Sequence, residues 1–125
     1  MESYSSLELG RDIFKVEYQG KIISTNELKS KSWRKMKPKI DALKLEFFIL
    51  IQNANLPKFK GIELKVRYWS KHDVDNISST IKIFVDQLVK AGKIKDDNKN
   101  YWKKLIIEAD ETLKNNTLIF EIKKL

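Results

Sequence analysis

The sequence predicts an α+β fold in which a small mixed sheet of four to five strands packs on two main helices. Three observations support this fold class: the length of 125 residues, several short segments that alternate polar and apolar residues, and two longer segments with apolar residues at helical spacing. A chain of this length can bury one hydrophobic core and is short for two. The sequence therefore predicts a single domain spanning residues 1–125.

Alternation of polar and apolar side chains predicts the strands, because successive residues of a strand point to opposite faces of its sheet. The alternation is clearest in residues 62–70, where Ile62, Leu64, Val66 and Tyr68 share one face. A turn at Gln19-Gly20 separates the first two strands. The predicted strands are residues 12–18, 21–24, 62–70, 102–108 and 118–122.

Apolar residues three and four positions apart predict two helices, one over 39–53 and one over 76–91. Pro38 suits the first turn of the earlier helix better than an interior position, since proline lacks a backbone N–H. Asp75 suits the N-cap of the later helix, and Gly92 suits the position just after its end. A loop separates the first helix from the strand that follows it.

The composition limits the classes of function. The 25 Lys and Arg residues exceed the 17 Asp and Glu residues, which leaves a net charge of +8 and favours a polyanionic partner such as nucleic acid. The chain has no cysteine and one histidine, His72, so metal chemistry would rest on oxygen ligands, which suit magnesium or manganese. Neither a signal peptide nor a membrane-spanning run is visible, which predicts a soluble intracellular protein.

Aspartates flank the second predicted helix. Asp73 and Asp75 precede it, and carboxylates two residues apart in an extended segment point to the same side, where they could share a metal ion. Asp96 and Asp97 follow the helix. Divalent metals held by carboxylates can generate hydroxide from water and stabilise the departing oxygen in phosphodiester cleavage. Taken separately, each pair is also typical of ordinary structure, a helix cap and a turn.

Basic residues form two groups that could contact phosphates. One group precedes the first predicted helix and includes Trp33, which either stacks on a splayed base or packs on the core. The other lies near the aspartates, where His72 either touches a metal or phosphate or is an ordinary surface residue. The candidate DNA-contacting residues are Lys31, Arg34, Lys35, Lys37, Lys71, Lys95 and Lys99.

Between residues 62 and 108 the chain resembles the RusA-like Holliday junction resolvases. That family carries D-x-D-N at a helix start, a lysine, D-A-L within the helix, a glycine at its end and D-D after it. The first sixty residues agree with the family only in layout. The matching residues here are Asp73, Asp75, Asn76, Lys82, Asp86-Gln87-Leu88, Gly92 and Asp96-Asp97.

The resemblance implies a RusA-like fold and a homodimeric, magnesium-dependent endonuclease that resolves four-way DNA junctions in recombination and repair. It also implies a cytoplasmic protein of a bacterium, phage or prophage. The family's catalytic aspartates fall on Asp73, Asp75 and Asp97. With Asp96 close by, these residues are expected to bind Mg²⁺, with Mn²⁺ as an alternative.

The position of the family's lysine depends on how the helix is counted. An ungapped count from the D-x-D-N motif puts Ser79 there, whereas a shift of three residues puts Lys82 there and also aligns Asp86. We prefer Lys82, because three residues are nearly one helical turn and keep a similar face. Lys82 would stabilise charge on the scissile phosphate or its leaving group.

Distance sets a condition on Asp97. A helix over 76–91 would be about 24 Å long, and the five residues from Gly92 to Asp97 reach roughly 17 Å. Either the helix is therefore shorter than predicted, or Asp97 completes the site near a two-fold axis between two copies of the chain.

Three other functions stay open. The first is a protein of similar fold that binds branched DNA without cutting it. The second is a less selective nuclease that acts on flaps or single strands. The third is a protein-interaction factor whose charge serves solubility alone. The carboxylates argue against the first, because unneutralised acids weaken DNA affinity.

Overall fold

A computed structural model describes residues 13–125 of the chain. It has the predicted α+β class, with two long helices, one short helix and four strands in the described residues. Residue 12, the first of the predicted N-terminal strand, lies outside them. In chain order the elements are β1 (Ile13–Gln19), α1 (Thr25–Ser30), α2 (Trp33–Asn53), β2 (Ile62–Trp69), a 3-10 turn (Val74–Asn76), α3 (Ser78–Lys90), β3 (Trp102–Ala109) and β4 (Thr117–Lys124).

The strands form one mixed sheet in the order β1-β4-β2-β3. β4 runs antiparallel to both β1 and β2, whereas β3 runs parallel to β2. The alternation predicted for β2 is confirmed, since its residues from Ile62 to Tyr68 are alternately buried and partly exposed. The parallel pair requires a long connection, and the acidic turn and α3 lie within it.

Three fully buried aromatic rings join the helices to the sheet. Phe47 of α2, Phe84 of α3 and Phe120 of β4 are each 0% exposed. The rings of Phe84 and Phe120 stack with their centroids 3.7 Å apart. The Phe47 ring meets them edge-on, at 5.4 and 5.5 Å. The core therefore holds α3 against the centre of the sheet, and the acidic turn before it lies by the edge strand β3.

The second predicted strand, residues 21–24, is wrong. Ile22 and Ile23 are buried as a strand would require, but the backbone of Ile23 pairs with a side chain and not with a neighbouring strand. Its N–H donates to Thr80 Oγ1 at 3.0 Å, and the same hydroxyl donates to its carbonyl at 2.8 Å. The chain then turns into α1, a short helix that local periodicity did not indicate.

The first long helix begins earlier than predicted. Ser32 is the N-cap of α2, and its hydroxyl accepts from the Lys35 N–H at 3.4 Å. Pro38 consequently lies inside the helix and not in its first turn. Proline there removes one helical hydrogen bond. A serine cap and the buried Met36 outweigh that local cost.

The prediction for α3 is wrong for the residue that caps its start and confirmed for the residue that follows its end. Asp75 is not its N-cap: it lies in the 3-10 turn, and Ile77 is the capping residue, without a side-chain hydrogen bond. Gly92 is confirmed just after the end of the helix, with a φ of 75°. Its N–H donates to the Val89 carbonyl at 3.0 Å, and the Lys93 N–H donates to the Leu88 carbonyl at 2.9 Å. This pair of bonds is the Schellman ending of a helix.

Replacement of Gly92 by Ala is expected to lower the free energy of unfolding by about 1 kcal/mol. The loss is conformational, because a Cβ at this position would meet no atom within 4 Å. Urea denaturation measures it, with Gly92→Asn as the matched variant, since asparagine tolerates positive φ and should lose less. Equal stability of the alanine and wild-type proteins would contradict the prediction.

No helix within residues 13–125 has both the length and the apolar character needed to cross a membrane.

Candidate functional site

The segment that leads from β2 to the acidic turn is held by its own side chains. The Tyr68 hydroxyl donates to the His72 carbonyl at 2.9 Å. Ser70 Oγ accepts from the His72 N–H at 3.1 Å and lies 3.0 Å from His72 Nδ1. Burial, with the nearby charge of Lys71, lowers the pKa of His72. His72 is therefore a half-buried, uncharged residue at neutral pH, with one ring nitrogen already engaged.

Asp73 and Asp75 are exposed on the turn that follows. Asp73 has extended backbone, and its carbonyl accepts from the Asn76 N–H at 2.9 Å. Asp75 lies within the 3-10 turn, so the prediction that an extended segment directs both side chains to one side is wrong. Neither carboxylate makes a hydrogen bond or an ion pair within residues 13–125. Both carboxylates are open to an external ligand.

The beginning of α3 is tied to α1. Asn76 Oδ1 accepts from the Asn26 N–H at 3.3 Å. The Thr25 hydroxyl lies 3.2 Å from that of Ser78 and 2.8 Å from that of Ser79. Ser79, the alternative position for the family's lysine, is thus engaged with α1 and not with an acid.

Lys82 lies one turn further along α3 and contacts two acids. Its Nζ is 2.6 Å from Asp86 Oδ1, and it also donates to Asp97 Oδ2. The carboxylate of Asp96 turns back on its own loop, where it accepts from the Asp97 N–H at 2.7 Å and from Asn98 Nδ2 at 3.1 Å. Asp97 therefore reaches the N-terminal half of α3 within its own chain.

The helix α3 is shorter than predicted, chiefly because it begins two residues later. It has 13 residues, which is about 20 Å of helix. The Schellman ending then reverses the chain, so that the loop carrying Asp97 runs back along α3. A position shared by Asp97 with Asp73 and Asp75, within one chain or across a dimer, stays a prediction.

Charge stabilises the contact between Lys82 and Asp97. The hydrogen bond from Lys82 lowers the pKa of Asp97. Burial of Lys82 opposes its charged form, but the hydrogen bonds to Asp86 and Asp97 outweigh burial and raise the pKa of Lys82. Because the pKa of Asp97 is depressed in the folded protein, its contribution to stability is present above the unfolded value and disappears as pH falls through the folded value.

Replacement of Lys82 by Met is expected to raise the pKa of Asp97, because the methionine retains the length of the side chain and removes the cation. Carboxyl ¹³C chemical shifts followed from neutral to acid pH measure this change. Lys90→Met at the far end of α3 is the control and should leave the titration of Asp97 as it is. An unchanged Asp97 titration in the Lys82 variant would refute the ion pair.

The oxygen donors of the site suit Mg²⁺ or Mn²⁺ in kind. Asp73 and Asp75 supply two exposed carboxylates within three residues of the chain. The described residues contain no group of three or more His, Asp or Glu side chains that could hold a metal ion. The carboxylate of Asp97 forms an ion pair with the Lys82 ammonium. It does not belong to a group with Asp73 and Asp75 in the described residues. Magnesium binding by Asp73, Asp75, Asp96 and Asp97 stays a prediction.

The basic residues before and within α2 are exposed, and so is Trp33, at 64%. Trp33 therefore does not pack on the core. Lys31 and Lys37 pair with Glu27 and Asp41 at 2.9 and 2.7 Å. The other candidate DNA-contacting residues have no acidic partner within residues 13–125; they are Arg34, Lys35, Lys71, Lys95 and Lys99.

Comparisons of the chain with protein-family models and with curated proteins found no match. Sequence reasoning missed the contacts of Ile23, Thr25 and Asn26 with the start of α3. Each spans at least 50 residues, a separation for which a single sequence carries no local signal.

Proposed function

We propose that this protein is a magnesium-dependent endonuclease of RusA-like fold that cleaves branched DNA, and above all four-way junctions, as a homodimer. One observation carries the proposal: Lys82 joins Asp97 to α3, the helix whose preceding turn bears Asp73 and Asp75. Two parts of the motif, Lys82 and Asp97, are thus in contact, and the third lies on the turn that leads into the same helix. The net charge of +8 provides attraction to DNA despite the local acids.

Each residue of the site has a distinct task in this reaction. Asp73 and Asp75 would hold the metal ion, which when bound supplies an activated water and stabilises charge on the phosphate. Lys82 stays protonated, since its pKa is raised, and can donate to an oxygen of the scissile phosphate. Arg34 and Lys35, which lack an acidic partner in the described residues, would contact flanking phosphates.

A second candidate is a protein that binds branched DNA without cutting it. The ion pair between Lys82 and Asp97 favours this function, because a neutralised carboxylate neither attracts a metal ion nor repels a phosphate. The two functions differ in one measurable respect. A metal-dependent nuclease cuts the junction in the presence of the divalent metal and stops when the metal is removed. A binding protein leaves the junction uncut in either condition and keeps its affinity for the junction without the metal.

Incubation with three end-labelled substrates, a four-way junction, a flap and a single strand, tests the proposal. The wild-type protein is expected to cut a four-way junction in Mg²⁺ or Mn²⁺ at paired, symmetric positions and to leave it intact in EDTA. Faster cutting of a flap or a single strand would instead indicate a less selective nuclease. An intact junction with both metals, together with unchanged binding in EDTA, would establish the binding protein.

For the homodimer, β3 provides a candidate contact surface. It is an edge strand that pairs only with β2 within the described residues, and its Leu105 and Ile106 are 37% and 41% exposed. An apolar edge strand of this kind is open to pairing with another chain. The Asp110 N–H donates to the Tyr68 carbonyl at 2.8 Å, so by alternation Leu105 and Ile107 direct their backbone groups outward.

The charges of β3 favour a second copy of the same chain as the partner. Antiparallel pairing about a two-fold axis through Ile106 brings Leu105 opposite Ile107 of the partner subunit. The same register brings Lys104 opposite Glu108 of the partner subunit. Both ends of the strand are therefore complementary in charge, as an interface between identical surfaces requires.

An Ile106→Cys variant is expected to form a disulfide-linked dimer under mild oxidation without DNA. Opposite residues at the axis have Cα atoms about 4.5 Å apart, within the disulfide range of about 4.4–6.8 Å, and the chain has no other cysteine. Lys104→Cys is the matched control, because two copies of this residue would lie about 13 Å apart. Equal cross-linking of both variants, or a monomer in sedimentation, would rule out this interface.

A further inference from the structure

A cavity of about 680 Å³ lies between the segment 21–27, one side of α2 and the residues just before the acidic turn. Its volume is within the range of small-molecule sites, about 300–1,000 Å³. None of the functions discussed above makes use of it. We name it the α1–α2 cleft.

The lining of the α1–α2 cleft combines an apolar wall with three lysines and two glutamates. Ile22, Ile23 and Leu43 line it and are at most 8% exposed. Lys21 and Lys71 also line it; both are exposed and neither has an acidic partner within residues 13–125. A ligand that suits this lining has a flat apolar body and an anionic group, and a nucleotide has both.

Polar groups along the cleft could recognise the edge of a base. Glu46 and Asn116 line it, and neither side chain makes a hydrogen bond within the described residues. Lys39 is already occupied, because its Nζ lies 3.1 Å from Glu27 Oε2. The cleft therefore offers two cations to a phosphate and two polar side chains to a base.

Both walls of the cleft continue directly into the candidate nuclease site. On one side, Lys71 and His72 line the cleft, and the next residue is Asp73. On the other side, Thr25 and Asn26 follow the lining residues 21–23 and contact Ser78, Ser79 and Asn76. A ligand in the cleft is therefore next to the acidic turn.

We propose that the α1–α2 cleft binds one nucleotide extruded from a DNA strand beside the phosphate that is cut. An enzyme that takes a base out of the stack must hold it in a pocket, and unstacking costs least where pairing is already disturbed. A branch point is such a place. The DNA source of the ligand rests on the proposed function, but the affinity of the cleft for a nucleotide does not.

Titration of the full-length protein with each deoxynucleoside 5′-monophosphate in EDTA tests the cleft itself, by NMR or calorimetry. Inorganic phosphate and the bare deoxynucleosides are expected to bind at least about tenfold more weakly, because each lacks half of the contacts. Lys21→Gln is expected to weaken binding of the monophosphate and to leave that of the nucleoside unchanged. Absence of binding by all four monophosphates would overturn the proposal.

A variant that fills the cleft provides the second measurement. Ala42 lines the cleft on an exposed part of α2, so Ala42→Phe is expected to abolish monophosphate binding with the fold intact. Leu45→Phe is the matched control: Leu45 is on the same helix, 60% exposed and outside the cleft. Undiminished binding by a folded Ala42→Phe protein would also overturn the proposal.

Junctions that carry 2-aminopurine beside the cleavage position distinguish a strand nucleotide from a free one. Fluorescence of the unstacked base is expected to rise with the wild-type and Leu45→Phe proteins and to stay low with Ala42→Phe. Monophosphate binding without this rise would mean that the cleft takes free nucleotides, against the proposal. Junction cleavage with neither monophosphate binding nor a rise in fluorescence would refute nucleotide binding by the cleft and leave the nuclease function unaffected.

Discussion

Replacement of Asp75 by Asn is expected to lower the rate of junction cleavage by about 100-fold or more, the scale on which removal of a single charge-stabilising group acts in active sites. The amide has the shape of the carboxylate but not the charge that a divalent metal requires. Asp75 is exposed and makes no side-chain hydrogen bond within residues 13–125, so the fold should be unaffected. Binding to the junction should be kept or strengthened, because one negative charge is lost.

Asp41→Asn is the matched control for this experiment. It makes the same chemical change at an exposed residue of α2, where the carboxylate pairs with Lys37 at 2.7 Å. An exposed ion pair of this kind contributes little to stability. The Asp41 variant should cut junctions at the wild-type rate. Cleavage at the wild-type rate by the Asp75→Asn variant would show that Asp75 has no part in catalysis. It would also remove the main argument for a bound metal ion.

Replacement of Phe47 by Ala is expected to lower the free energy of unfolding by about 3–5 kcal/mol, as for other large-to-small changes in a core. The Phe47 ring is 0% exposed and meets the rings of Tyr18, Phe84 and Phe120 edge-on. Its loss leaves a cavity at the point where α2, α3 and the sheet meet. Urea denaturation of the purified variants provides the measurement.

The neighbouring residue is the control for the core variant. Phe48 is only half-buried, and its ring has Lys90 Nζ 5.8 Å from its centroid. Phe48→Ala is expected to lower the free energy of unfolding by no more than about 1 kcal/mol beyond the effect of an ordinary surface substitution. Similar losses at the two positions would mean that the aromatic cluster is not the centre of the core.

Elements with a strong local pattern could be predicted from the sequence. The alternation in β2 identified its buried face, because one side of that strand meets the helices and the other does not. Gly92 marked the end of α3, because the Schellman ending needs positive φ. The segment 21–24 shows the limit of such reasoning: its apolar residues are buried as in a strand, but Thr80 occupies the backbone groups that a strand partner would need.

The sequence indicated which residues are candidates for the site but not which of them contact one another. Asp73, Asp75 and Asp97 stood out by spacing and resemblance, but nothing local indicated that a lysine would join the last of them to α3. Lys82 meets Asp97 and Ser79 meets Thr25, and the assignment of the family's lysine to Lys82 stays a prediction. The α1–α2 cleft has no sequence signature, because its walls are distant in the chain.

The hydroxyl of Thr80 limits how far α3 can move relative to the segment that contains Ile23. It both accepts from and donates to the backbone of Ile23, in a place where water has no access, since Thr80 is 0% exposed. Movement of α3 along its axis would break both bonds in the dry interior, where unpaired polar groups are costly. We therefore expect the wall of the α1–α2 cleft at Ile23 and the helix α3 to move together.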